Sequence, residues 1–269
     1  MGEHYSKKEL GKDMYQFFIE DENAAEDFVT IEGSDVNHIK NVLRMKPGEK
    51  IRVCTRNGQN YFCSISDITE SFVRADILEK EAESTELPCR IYLFQGLPKN
   101  DKMEWIIQKT VELGVYEVIP VAMKNCVVKL DDKKAKSKVT RWQAIAESAA
   151  KQSKRSLIPE VKMPMSYKEA VAYAKKLDVK LVPYENEHGM SGTKAAMEQI
   201  EKGESVAVFI GPEGGFDPSE IALAKEEGMH LVSLGKRILR TETAGLATLS
   251  ILMYHIESVS EAEEERDQP

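Results

Sequence analysis

The chain has little of what metal, thiol and disulfide chemistry require. Its 269 residues include four scattered cysteines (Cys54, Cys63, Cys89, Cys126) and five dispersed histidines, none grouped at metal-ligand spacing. That leaves no disulfide framework and no metal site to expect, and it predicts a reducing, cytoplasmic setting. No apolar run approaches the roughly 20 residues of a membrane helix, and the N-terminus lacks the apolar core of a signal peptide. Met1-Gly2 followed by Ser6 fits only the loose pattern for N-myristoylation. Also missing are G-x-S-x-G, H-E-x-x-H, a Cys/His pair, a Walker loop and an early G-x-G-x-x-G. Covalent hydrolysis, metal-assisted hydrolysis and phosphate-loop nucleotide binding are therefore disfavoured.

The composition is that of a folded protein with a sizeable core, at 42% hydrophobic and 30% charged residues. A net charge of -8 argues at first against nucleic acid, but its distribution matters more. From Glu257 onward six acids face one arginine, as on a solvated tail. Lys133 to Arg155 carries eight basic residues against Glu147 alone. That stretch suits RNA, and it equally suits a solvated helix face.

Residues 15–80 read as five short strands (15–20, 28–33, 50–55, 60–68, 72–78) and one helix over 34–45, a small β-barrel. The charged joint 79–86, closed by Pro88, predicts a domain boundary at 84/85. Beyond it strands and helices alternate, the mark of an α/β fold with a mostly parallel sheet. Helices are expected over 138–154, 167–177, 193–202 and 243–258. The last is apolar enough to be buried on more than one side, a candidate subunit contact. Residues 260–269 form an acidic tail.

The chain is organised around Ala207–Leu246. Two buried strands, 205–210 and 230–234, each empty into glycine: Gly211-Pro212-Glu213-Gly214-Gly215 and Gly235. Glycine there brings bare backbone to a ligand, although a tight turn alone would also use it. With Pro183-Tyr184-Glu185 at the end of a third strand, these termini are plausible walls of one cleft. Asp217-Pro218-Ser219-Glu220 is a helix start. Lys236, Arg237 and Arg240 crowd one turn, suited to an anionic or carbonyl-rich ligand. Thr241-Glu242 could be a plain helix cap, and Asp101, Lys102 and Glu104 read as a solvated helix start rather than a catalytic set.

Four segments, GLPKNDKMEWIIQKTVELGV (96–115), RWQAIAESAAKQSKR (141–155), FIGPEGGFDPSEI (209–221) and LGKRILRTETAGL (234–246), together resemble the RsmE family of the SPOUT superfamily. HIKNVLRMKPGEKI (38–51) is similar to that family's PUA-like RNA-binding barrel. The resemblance covers nearly the whole chain in order. One departure is Gln16, where family members commonly carry arginine before two aromatics.

The resemblance implies a PUA-like domain (1–84) and a SPOUT methyltransferase domain (85–259) with a trefoil knot over about 180–246. It implies a homodimer, S-adenosylmethionine as cofactor, and methylation of uridine N3 in 16S ribosomal RNA of the small subunit. Under it, the cofactor contacts are Pro183, Tyr184, Glu185, Ile210, Gly211, Pro212, Glu213, Gly214, Gly215, Leu234, Gly235, Arg237, Ile238, Leu239, Thr243 and Ala244. Arg240, then Arg155, are expected to steady charge on the base, with Glu242 as proton acceptor. RNA contacts are expected at Arg44, Lys46, Lys138, Arg141, Lys151, Lys154 and Arg155. Two rivals remain on the residues alone: an assembly factor without chemistry, and a related enzyme acting on tRNA. The intact glycine pocket with Arg240 and Glu242 speaks against the first, and the complete GLPK and RILRTETA sets against the second.

Overall fold

The computed structural model describes residues 14–81 and 84–266. The polar lead with Met1-Gly2, and the last three residues of the acidic tail, lie outside the described residues. The chain divides into two compact units, Met1–Glu86 with Lys154–Ile158, and Leu87–Ser153 with Pro159–Pro269. An expected cut at 84/85 gives no place to the five-residue return segment.

In the first unit, β1 (Gln16–Ile19), β2 (Phe28–Glu32), β3 (Lys50–Thr55), β4 (Asn60–Ile68) and β5 (Phe72–Glu81) form one sheet in the order β1-β3-β4-β5-β2. β1 joins β3 in parallel and the remaining pairs are antiparallel. Val29 and Ile31, Ile51 and Val53, Cys63 and Ile65, and Val73 and Ala75 all point inward, two residues apart on each strand. That period of two is what fixes the register. Burial pushes the Cys54 and Cys63 thiols up to about 12, so both stay protonated and inert. The expected helix over 34–45 is instead one α turn, α1 (Ser34–Asn37), followed by a wider turn over His38–Val42. There Leu43 N–H reaches back five residues to the His38 carbonyl. The wider turn, with Arg44 at φ 54, lets Val36, Ile39 and Met45 share the core.

The return segment is held by polar contacts. Gln16 Nε2 donates to the Arg155 carbonyl at 2.5 Å and Asn60 Nδ2 to Ser156 Oγ at 2.8 Å. Arg155 Nε donates to Glu86 Oε2 at 3.1 Å, and the Ser156 N–H donates to Glu86 Oε1 at 2.8 Å.

The second unit is built on a seven-stranded sheet. Its strands are β6 (Arg90–Gly96), β7 (Val115–Ala122), β8 (Glu160–Val161), β9 (Met165–Ser166), β10 (Val179–Pro183), β11 (Ser205–Ile210) and β12 (His230–Val232). The order is β12-β10-β11-β6-β7-β8, with β9 beside β7, and every pair is parallel. Helices α2 (Lys102–Glu112), α3 (Asp132–Gln152), α4 (Tyr167–Ala174), α5 (Ser191–Met197), α6 (Pro218–Glu226) and α7 (Thr241–Arg266) alternate with the strands.

β11 is buried at all six positions, as expected of a central parallel strand. Phe94 of β6 and Phe209 of β11 stack with centroids 4.3 Å apart, and Tyr167 and Tyr173 meet them edge-on. α3 begins six residues earlier than expected because Asp131 accepts the Lys134 N–H as its cap. α7 continues past 258 to Arg266, so the acidic stretch is helical there. Glutamate is a good helix former.

Candidate active site

Because the sheet is parallel, β10, β11 and β12 finish on the same side, and they are neighbours in the order β12-β10-β11. Their trailing loops enclose a cavity of about 390 Å³. That falls within the roughly 300–1,000 Å³ of small-molecule sites. Packing demands glycine at two nearby points. A Cβ on Gly96 would sit 2.7 Å from the Pro212 nitrogen, so the glycine loop lies flush on the end of β6. Gly235 has φ +104, which side chains rarely adopt, and it turns the chain from β12 into the basic turn.

The structure brings most of the expected cofactor residues to this cavity. Pro183, Tyr184, Glu185, Ile210, Gly211, Pro212, Glu213, Gly215, Leu234, Gly235, Arg237, Ile238, Leu239 and Ala244 line it, together with Arg240. Gly214, Glu242 and Thr243 are not on its wall. Gly214 faces outward against Asn125, whose Nδ2 donates to the Gly214 and Gly215 carbonyls at 3.1 and 3.2 Å. Arg155 belongs to the other unit, where its side chain is 4% exposed and ion-paired with Glu86. The structure therefore places Arg155 in a buried structural pair, with no part in this cavity.

Sequence reasoning missed several lining residues: Lys102, His188, Phe216, Ser233 and Thr241. Lys102 is not the solvated helix residue its neighbours suggest. Its Nζ lies 3.0 Å from Glu213 Oε1 and 3.2 Å from Glu242 Oε2. The hydrogen bond to Glu213 raises the Lys102 ammonium above its ordinary value. Burial pushes Glu213 up, but Lys102 and backbone N–H groups outweigh it and leave the carboxyl low. The Lys99 N–H is one such donor, 3.1 Å from Glu213 Oε1.

On sequence alone Thr241 could be a plain cap of α7. Instead the Arg240 carbonyl accepts the Ala244 N–H, and the Thr241 hydroxyl donates to the Gly211 carbonyl at 2.6 Å. Gln95 Nε2, wholly buried, donates to Thr241 Oγ1 at 2.9 Å. This relay ties the ends of β6 and β11 to the start of α7. On the other side of the loop, Asp217 and Glu220 form a capping box at α6. Ser219 and Lys124 hold the Asp217 carboxyl down at about 2.

The lining is mostly backbone and apolar side chain, with two carboxylates, Glu185 and Glu213, and a basic rim. Such a set fits a ligand that is apolar in part and carries charged groups at its ends. No cluster of histidine, cysteine or acidic side chains suited to a metal occurs among the described residues.

The expected RNA contacts fall in different settings. Arg44 and Lys46 are exposed in the first unit. On α3, Arg141 pairs with Glu104 at 2.7 Å, Lys138 with Asp101 at 3.6 Å, and Lys151 with Glu147 at 2.9 Å. Lys154, at φ 59, donates its Nζ to the Met14 carbonyl.

Residues 85–253 match the family model described as an RNA methyltransferase domain, and residues 31–78 match an RNA methyltransferase PUA domain. A Bacillus subtilis protein named ribosomal RNA small subunit methyltransferase E is 40% identical over 231 residues, covering 85% of this chain and 90% of its own. The Mesomycoplasma hyopneumoniae protein of the same name is 36% identical over 88% of this chain and 98% of its own. A crystal structure of the Neisseria gonorrhoeae enzyme of that name, bound to S-adenosyl methionine, superposes with a TM-score of 0.77 at 32% identity, over 90% of this chain and 97% of that one. With its PUA unit, its parallel sheet and these relatives, the chain belongs to the ribosomal RNA small subunit methyltransferase E (RsmE) family of the SPOUT superfamily.

Proposed function

We propose that this chain is an S-adenosylmethionine-dependent methyltransferase acting on N3 of a specific uridine in 16S ribosomal RNA. The observation that carries the reading is the cavity at three parallel strand ends, walled by glycine backbone and apolar side chains, with Arg240 at its mouth. The bound cofactor supplies a methyl group activated by a positively charged sulfur. Pro183, Ile210, Leu234 and Leu239 give apolar walls for an adenosine, while Glu185 and Glu213 offer carboxylates to the cationic end. The relative crystallised with S-adenosyl methionine supports this choice of cofactor.

Uridine N3 becomes a nucleophile only as its imide proton leaves, and the charge that develops is shared with O2 and O4. In this reading Arg240 donates to those oxygens, and Glu242 takes the proton. Arg155 is given no role in transfer. Lys236 and Arg237 continue the basic rim for the RNA backbone, and Arg44 and Lys46 form a second contact in the PUA unit. Segment 180–246 is threaded as a trefoil knot. A second copy of the chain packs on α7, where Ile251 and Tyr254 are exposed apolar side chains. The protein works in the cytoplasm, and no helix of the described residues is long and apolar enough to cross a membrane.

The test uses small subunits, and free 16S RNA, from cells lacking the gene, incubated with the protein and methyl-labelled cofactor. Nucleoside mass spectrometry should find 3-methyluridine in one substrate. Label in another base, or none, would contradict the reading.

A further inference from the structure

We infer that Lys102 is a positioning residue for methyl transfer, a clasp that holds the Glu242 carboxylate at the start of α7 against the glycine loop. The inference rests on the function proposed above. Its ammonium joins three stretches far apart in sequence: α2, the loop after β11 at Glu213, and the first turn of α7 at Glu242. Lys102 itself lines the cavity.

The two carboxylates depend on it unequally. Glu213 is also held by the backbone N–H of Lys99, so it keeps a donor without the lysine. Glu242 Oε2 is buried, and the cation that meets it among the described residues is Lys102 at 3.2 Å. Removing the ammonium therefore frees Glu242 far more than Glu213. The cluster counts one cation against two carboxylates, so Glu242 shares Lys102 with Glu213.

The prediction is a split between chemistry and binding. In Lys102→Met, cofactor affinity by equilibrium dialysis stays within about threefold of wild type, because the cavity walls and Glu213 remain. The single-turnover methylation rate falls about tenfold to a hundredfold, the cost of a reacting group left out of place. Lys102→Arg restores most of that rate. In an E242Q background, K102M brings no further tenfold loss, since the lysine acts through the carboxylate. Hydrogen exchange at 241–244 rises in K102M without cofactor or RNA.

An unchanged rate in K102M, a loss confined to cofactor affinity, or losses that multiply in the double variant would each overturn the clasp. A wild-type protein that labels no RNA overturns the functional reading and the clasp together. A wild-type protein that labels RNA while K102M does so equally fast overturns the clasp alone.

Discussion

Two basic regions of the second unit invite comparison, the outer face of α3 and the turn from Gly235 to Arg240. By sequence the first is the richer, and both suggest RNA. In the structure Arg141, Lys138 and Lys151 of α3 already face Glu104, Asp101 and Glu147. In the turn, no carboxylate of the described residues pairs with Lys236, Arg237 or Arg240. Three like charges within five residues repel one another and are kept apart from acids only at a cost. In the proposed function the counter-charge comes from the RNA. A count of lysines and arginines cannot tell these regions apart, whereas their partners can.

The sharpest way to break the comparison is Arg240→Ala. Methylation should fall by about a hundredfold or more, the usual effect of losing a donor aimed at developing charge, while cofactor affinity holds within about threefold. Turnover within a few-fold of wild type would remove Arg240 from the chemistry. Next in size is Gly96→Ala. Its methyl group meets the Pro212 nitrogen and must push the glycine loop off β6, so cofactor affinity should drop about tenfold. Dialysis with labelled cofactor reads this directly.

Thr241→Val keeps the shape but strips the relay, leaving the Gly211 carbonyl without the hydroxyl and the Gln95 amide with the Gly96 carbonyl alone. A destabilisation of about 1–3 kcal/mol is expected by denaturant titration. Arg141→Ala sharpens the comparison from its other side. Already answered by Glu104, this arginine should change RNA affinity less than about twofold and the salt slope by well under one phosphate. The smallest effect concerns pH. The Asp217 carboxyl is lowered to about 2, so its contribution is complete above the ordinary range near 4 and disappears as pH falls through 2. Thermal melts should show wild type losing more than Asp217→Asn between those values.

Much of the second unit was legible because its signals are local. The buried run 205–210, the glycines after it, and Asp217-Pro218 with Glu220 name a strand, a loop and a capped helix from consecutive residues. Parallel pairing then brings three strand ends together with no further information. What escaped depends on distant pairs. Lys102 and Glu242 lie 140 residues apart, and Gln95 and Thr241 146. Arg155 has a setting that was hidden for the same reason. It ends a basic helix in sequence, but after Lys154 turns at φ 59 the chain crosses to the first unit and meets Glu86. The wide turn after α1 was equally hidden, since it satisfies a core spacing that a regular helix would miss.

The central claim is that exposed main chain at three strand ends holds the methyl donor, with Arg240 left to meet the RNA. Equilibrium dialysis of labelled S-adenosylmethionine against wild type and Arg240→Ala tests it most directly. The account predicts saturable binding to both proteins, one cofactor per chain, with nearly equal affinity. No saturable binding to wild type, or binding that vanishes with Arg240, would contradict it.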